Sequence, residues 1–218
     1  MFWNLLLAHF VSDYPLQPKW MVRTKTNPWV LLLHVGIHFV VTLSLVWTSA
    51  GRLWPYLAAL AGAHYLIDAT KNAANKYLPR RLIGLYLADQ TAHYISIGLT
   101  TLWISRSIGS LQPLLSTPLA VYLLGYVLVT YVWYISERII AFRNPVYQQE
   151  IDLSGWSRML VRAALLSIIL FLRHNLSLSM LPVGLFLPYL EGKYKRRALL
   201  SDIFIVCAVA VLVILIAQ

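Results

Sequence analysis

Five histidines and three aspartates occur in the first 93 residues. All eight fall into pairs spaced four apart: His9 with Asp13, His34 with His38, His64 with Asp68, and Asp89 with His93. Eight such residues scattered over that length would give about 0.7 pairs at this spacing, so four pairs are an excess. On a helix, residues i and i+4 lie on one face, a turn apart. Each pair therefore lets one helix offer two donor atoms to one ion, the geometric reason for the paired histidines of zinc-protease helices. Imidazole and carboxylate suit zinc first, and also manganese or iron; no soft donors point to copper(I). Eight donors exceed one tetrahedral shell. Two or three divalent ions are expected, with any surplus donor orienting a ligand from behind.

Such a site can activate water and clamp both oxygens of a phosphoryl displacement. A carboxylate not fully committed to metal can act as general base, and Asp68 and Asp13 are the candidates. Lys71, three residues after Asp68, and Gln17 are expected to hold a substrate head group, with Lys19, Asn72 and Gln90 as further candidates. Lys71 has an equally ordinary reading as an interfacial lysine extending its ammonium to water. Any one of the eight donors, taken alone, is as readily a buried group paired with the backbone or with a neighbour such as Lys71 or Arg23. The argument for metal is the set.

The elements that must position this set are membrane helices. Of 218 residues, 59% are hydrophobic and 12% charged, with mean hydropathy +0.67; soluble domains carry about 25% charged residues. Repeated apolar runs approach the ~20 residues that cross a bilayer. The expected fold class is all-α, a polytopic transmembrane bundle of about six to eight membrane helices. Residues 1–105 form the metal-site half, and residues 106–218 complete the bundle. Helices are expected at 2–13, too short for a comfortable span, and at 29–49, 53–70, 82–104, 118–137 and 199–217. A short pair, 159–172 and 176–190, is expected to break near Arg173-His174-Asn175. Residues 14–28, 71–81, 105–117 and 138–158 read as connections, with a tight turn at Gly51-Arg52.

Lysine and arginine gather in cytoplasmic loops. The segments 14–28, 71–81, 138–162 and 193–197 carry 3, 4, 4 and 4 of them, and the alternating turns carry only Arg52, Arg106 and Arg173. That alternation agrees with eight crossings and both termini outside. With this orientation all four donor pairs fall within about 15 Å of the cytoplasmic interface, at 1.5 Å rise per residue.

The net charge of +10 is explained by the same loops, and no basic stripe or recognition motif supports a nucleic-acid partner. Cys207 is the single cysteine, so no intrachain disulfide or thiolate metal site forms. The start, Met1-Phe2-Trp3-Asn4, has no basic n-region and reads as mature structure. Trp29, Trp54, Trp103 and Trp133 read as interface belts. Glu137-Arg138 reads as an interfacial ion pair, and His174 lies apart from the other histidines.

The run Leu5 to Asp13 followed by Leu16-Gln17, then His34 and His38, then His64-Tyr65-Leu66-Ile67-Asp68 with Lys71, then Asp89-Gln90 and His93, resembles a bacterial membrane family known as domain of unknown function 3307. The resemblance covers about residues 1–100 and implies no established reaction. More distantly the arrangement is similar to membrane-bound metal-dependent hydrolases of bacterial inner membranes.

These readings together lead to an expected function: an integral inner-membrane, metal-dependent hydrolase acting on a phosphoester or lipid-linked substrate at the cytoplasmic leaflet. A divalent-metal transporter or sensor is the alternative, and bis-histidine haem ligation a third possibility that leaves the aspartates unexplained.

Overall fold

The structure, a computed structural model, describes residues 1–78, 81–109, 111, 113–172 and 196–217. Among these residues the secondary structure is helical, with no strand. Backbone contacts divide the chain into two compact units, Met1–Ala120 and Val121–Gln218.

The first unit is built on α1 (Phe2–Asp13), α3 (Pro28–Leu45), α4 (Ala50–Tyr77) and α5 (Leu82–Ile108), with a short α2 (Lys19–Thr24). α1 packs on α3, α3 on α4, α4 on α5, and α5 back on α1. The ring of contacts is closed, so this is a four-helix bundle with an interior shared by all four members. The twelve-residue α1 spans only about 18 Å at 1.5 Å per residue. Its residues Asn4 to Phe10 are buried without a break, as befits a helix packed among the others. The Asn4 carboxamide fixes its outer end, donating to the Leu115 carbonyl at 3.0 Å and accepting from the Leu115 N–H at 3.3 Å.

Local chemistry explains most boundaries. α3 starts where Asn27 accepts the Trp29 N–H at 2.9 Å and Pro28 supplies a preset first turn. α5 ends at Gly109, whose φ of +84° suits glycine. The tight turn expected at Gly51-Arg52 is instead part of α4. The chain reverses one step earlier, through the 3-10 turn Trp47–Ser49. Pro55 lies inside α4 near its start, where it removes a single i→i−4 bond. α4 also runs to Tyr77, so Lys71, Asn72 and Lys76 are helical rather than in a loop. α2 occupies part of the expected loop 14–28: Pro18 is its extended N-cap, a position at which proline interrupts nothing.

The second unit begins within α6 (Thr117–Val127) and contains a π-helical stretch Leu128–Val132, α7 (Trp133–Ile140), α8 (Pro145–Leu172) and α9 (Arg196–Ile216). α8 packs against α7, α9 and the π-helical stretch. The loop expected at 138–158 is mostly the first half of α8. Asn144 caps that helix by accepting the Tyr147 N–H at 3.0 Å, with Pro145 at the first helical position. The expected helix at 159–172 is therefore the second half of α8. Its expected partner at 176–190, the break at Arg173-His174-Asn175, and Arg80, Lys193 and Lys195 lie outside the described residues.

Glu137 and Arg138 do not pair with each other. Arg138 meets Asp152 at 3.2 Å. Glu137 is buried and accepts from Arg158 Nη2 at 2.9 Å, from the Tyr147 hydroxyl at 2.9 Å and from Ser201 Oγ at 3.1 Å. Arg158 also donates from Nε to Asp202 Oδ2 at 2.9 Å and from Nη2 to Oδ1 at 2.6 Å. Arg162 reaches Asp202 Oδ1 at 2.7 Å and the Val129 and Thr130 carbonyls of the π-helical stretch. Two guanidiniums thus balance two carboxylates among α7, α8, α9 and the π-helical stretch, whose Val129 and Thr130 carbonyls also accept from Arg162. Trp133, expected in an interface belt, donates to Ser201 at 3.0 Å and joins this network.

Among the described residues four stretches are long and apolar enough to cross a membrane: Pro28–Leu45, Thr117–Arg143, Pro145–Phe171 and Arg196–Ile216. These are fewer than the six to eight expected. α1 is too short, and α4 and α5 carry too many polar residues. Arg158 and Arg162 are buried partners of Glu137 and Asp202, so the segment 138–162 keeps only Arg138 and Arg143 for the basic-loop count.

Removing Asp202 should leave two buried guanidiniums without their shared acceptor, at a cost of about 3–5 kcal/mol. Asp202→Ala is expected to melt well below the parent in detergent, and Asp202→Glu closer to it. A Cβ at Gly125 would lie 2.7 Å from Val213 Cγ2, so Gly125→Leu should also lower the melting temperature, whereas Gly98→Leu, with open space around it, should not.

Candidate metal centre

Each helix of the first unit's ring contributes one pair: His9 and Asp13 from α1, His34 and His38 from α3, His64 and Asp68 from α4, Asp89 and His93 from α5. All eight side chains turn into the bundle interior. Seven of them are buried outright, and Asp13, at the end of α1, is nearly so. The i,i+4 spacing aims two side chains per helix at the axis, and the closed ring brings the four stripes together.

The donors form three groups, each with its ligand atoms within 4.8 Å of one another: Asp13, His34, His38 and His64; His9, His64 and His93; and Asp68, Asp89 and His93. His64 and His93 are shared, so the groups are contiguous. Asp13 Oδ1 lies 3.0 Å from His38 Nε2 and 3.1 Å from His34 Nε2. His64 Nε2 lies 3.2 Å from His34 Nε2. Asp68 Oδ2 is 3.3 Å from His64 Nε2, and Asp89 Oδ1 is 3.6 Å from His93 Nε2. The first group, three imidazoles and a carboxylate from three helices, has the composition of a tetrahedral zinc site.

Two lysines touch the carboxylates. Lys25 Nζ meets Asp68 Oδ2 at 2.6 Å, and Lys71 Nζ meets Asp89 Oδ2 at 2.6 Å. Three carboxylates, two ammoniums and five imidazoles thus share the bundle interior. Moreover, His9 Nε2, His93 Nε2 and Asp89 Oδ1 are buried with no hydrogen-bond partner among the described residues. Buried polar atoms are ordinarily satisfied. Inward-facing buried atoms of this kind, on histidine and aspartate side chains, are ones that could hold a metal ion.

Gln17, expected to face a head group, is engaged at both ends by the protein. Its carboxamide oxygen accepts from His34 Nδ1 at 3.2 Å and Lys25 Nζ at 3.0 Å, and its nitrogen donates to the Asp13 carbonyl at 3.1 Å. This contact places the His34 proton on Nδ1 and leaves Nε2 to face the other donors, the outer partner that ligating histidines usually have. Asn72 donates to the Lys25 carbonyl at 3.0 Å, tying down the segment that carries Lys25. Gln90 donates to Asp89 Oδ2 at 3.2 Å and accepts from the Tyr94 hydroxyl at 3.2 Å. Lys71 reaches Asp89, on the neighbouring helix, rather than Asp68. Lys19 is exposed at the start of α2.

Lys25 is the site residue that sequence reasoning passed over. It sits 43 positions from Asp68 in the sequence, and only the proline-bounded α2 turns it back toward the bundle. The charged network of the second unit was also missed. Its sequence signal was Arg158 and Arg162 four apart in an apolar helix, with Glu137 and Asp202 in others.

A cavity of about 20 Å³ adjoins His9, His38, His64 and His93, enough for a water-sized occupant. The imidazole rings of His64 and His38 are 3.8 Å apart and those of His64 and His93 4.2 Å apart, centre to centre. A second cavity, of about 320 Å³, opens between α4 and α5 at Lys71 and Asp89.

Fold and site together define a helical bundle of membrane-protein character with a polar core of four histidine and aspartate pairs. The chain belongs to the family described as Protein of unknown function (DUF3307), whose model matches residues 1–137. The match takes in the whole first unit and all eight donors, and ends at Glu137. No curated protein and no solved structure matches the chain.

Lys25→Met would leave two of the three carboxylates, Asp68 and Asp13, without a lysine beside them. Loss of one partner of a buried pair costs about 3–5 kcal/mol, so the melting temperature in detergent should fall, and Lys25→Arg should recover most of it.

Proposed function

We propose that this chain is an integral membrane, metal-dependent hydrolase of the bacterial inner membrane, acting on a phosphoester or lipid-linked substrate at the cytoplasmic leaflet. The observation that carries the reading is the three contiguous donor groups at the bundle axis. Two or three divalent ions, zinc first and manganese or iron next, would be held by His9, Asp13, His34, His38, His64, Asp68, Asp89 and His93. Such ions supply Lewis acidity and a clamp for the oxygens of a displacement. In this reading α4 and α5 also cross the membrane, giving at least six crossings, because His64, Asp68, Asp89, Gln90 and His93 in their middle turns face the bundle interior rather than lipid. At 28 and 27 residues both are long enough.

The chain's own groups supply the rest. Asp68 and Asp13 are the carboxylates that take a proton from water. Lys25 neutralises one oxygen of Asp68 and leaves Oδ1 for that task. Gln17 holds the His34 tautomer, and Lys71, at the mouth of the larger cavity, meets the head group.

Elemental analysis of the purified protein should find at least one transition ion per chain, and His34→Ala/His38→Ala should lose it. Less than one ion, unchanged in that variant, would remove the reading. Gln17→Leu should weaken metal binding about 10- to 100-fold, measured by chelator competition. With the ions bound, release of phosphate from a lipid phosphomonoester should be lost in Asp68→Asn.

One observation favours a divalent-metal transporter or sensor as the second reading: the donor groups share His64 and His93, so an ion could step from one to the next. Uptake of zinc or manganese into proteoliposomes, with no turnover of any phosphoester, would decide for it.

A further inference from the structure

The cavity between α4 and α5 differs in character from the metal centre beneath it. Its walls are apolar, with Leu66 and Leu85 at the sides. It exists because small residues face each other across the helix pair: Thr70 and Ala74 on α4, Ala88 and Ala92 on α5, each couple four apart and so on one face. At about 320 Å³ it falls at the lower end of the range for ligand pockets. Its charged residues are Lys71 and Asp89, and they are not equally available. The Asp89 side chain is 2% exposed and that of Lys71 28%. Asp89 Oδ2 already accepts from Lys71 and Gln90, and Oδ1 faces His93 on the metal side. An anion arriving along the furrow therefore meets the Lys71 ammonium, which keeps two N–H donors beyond the one given to Asp89.

We propose that this furrow binds a lipid with one hydrocarbon chain and a phosphate head group, the chain lying over Ala88 and Ala92 and the phosphate on Lys71. The apolar walls and the accessible Lys71 ammonium match the two parts of such a molecule. Asp89 joins furrow and metal centre: Lys71 bonds one of its oxygens and the third donor group contains it. A phosphate on Lys71 is thereby brought beside Asp68, Asp89 and His93. As a substrate site this deepens, and rests on, the hydrolase reading; as a binding site it stands on the furrow alone.

The test offers the full-length chain, in maltoside detergent, equal amounts of lysophosphatidic acid and lysophosphatidylcholine with the same acyl chain, and weighs the complexes by native mass spectrometry. One lysophosphatidic acid per chain is expected, with at least a tenfold preference. Lys71→Met should abolish the preference and Lys71→Arg keep it. Ala88→Phe fills the furrow without touching the donors, and should lose the lipid while bound metal stays unchanged. Equal retention of both lipids, the mark of ordinary annular lipid, would overturn the proposal. So would a preference that survives Lys71→Met, or inorganic phosphate competing as well as the lipid. The His34→Ala/His38→Ala variant should still prefer lysophosphatidic acid. A wild-type chain that lacks ions yet shows the preference defeats the hydrolase reading and leaves the furrow standing.

Discussion

A polar group on a helix surrounded by hydrocarbon must be satisfied by another polar group of the same protein, because no water is there to take its place. The first unit turns on that constraint. Four helices each carry two ionisable side chains on one stripe, and the arrangement that keeps all eight from lipid is a closed ring with the stripes inward. The short α1 fits the same logic. It is too short to need lipid contact along its length, and it delivers His9 and Asp13 to the axis while the longer helices enclose it.

Hydrogen bonding inside the ring is incomplete. Lys25 and Lys71 compensate two carboxylates, Gln17 and Gln90 hold the outer atoms of His34 and Asp89, and atoms on His9, His93 and Asp89 face inward without a hydrogen-bond partner among the described residues. A core evolved only for packing would be expected to close these last contacts or to replace them with apolar groups, since a half-satisfied polar cluster is worse than none. The second unit shows the contrast. Its two guanidiniums and two carboxylates balance, share oxygens and use carbonyls of the π-helical stretch, which is the arrangement of a structural tie between helices.

Much of the site was legible in the chain because helical periodicity is local. The i,i+4 spacing of His9 with Asp13 or Asp89 with His93 states which residues share a face without any knowledge of neighbours. Charge counting was less faithful. Arg158 and Arg162 looked like loop cations because the segment before them is polar, yet Asn144 and Pro145 start a helix there, and distant Glu137 and Asp202 make burial of both arginines affordable. Trp133 likewise reads as a belt residue until Ser201, 68 positions on, supplies its acceptor. Errors of this kind share one cause: the partner that decides a polar residue's environment lies far away in sequence.

The amino-acid sequence alone determined the helical class, the membrane character, the eight donors and their pairing by face, because each follows from composition or from spacing within one turn. Tertiary structure alone decided that four faces meet in three overlapping donor groups, that Lys25 joins Asp68, that Lys71 turns to Asp89 at the lip of a furrow, and that Gln17 stands behind His34. Those relations depend on which helices are neighbours and how they are rotated, a matter settled by packing across the whole bundle rather than by any one stretch.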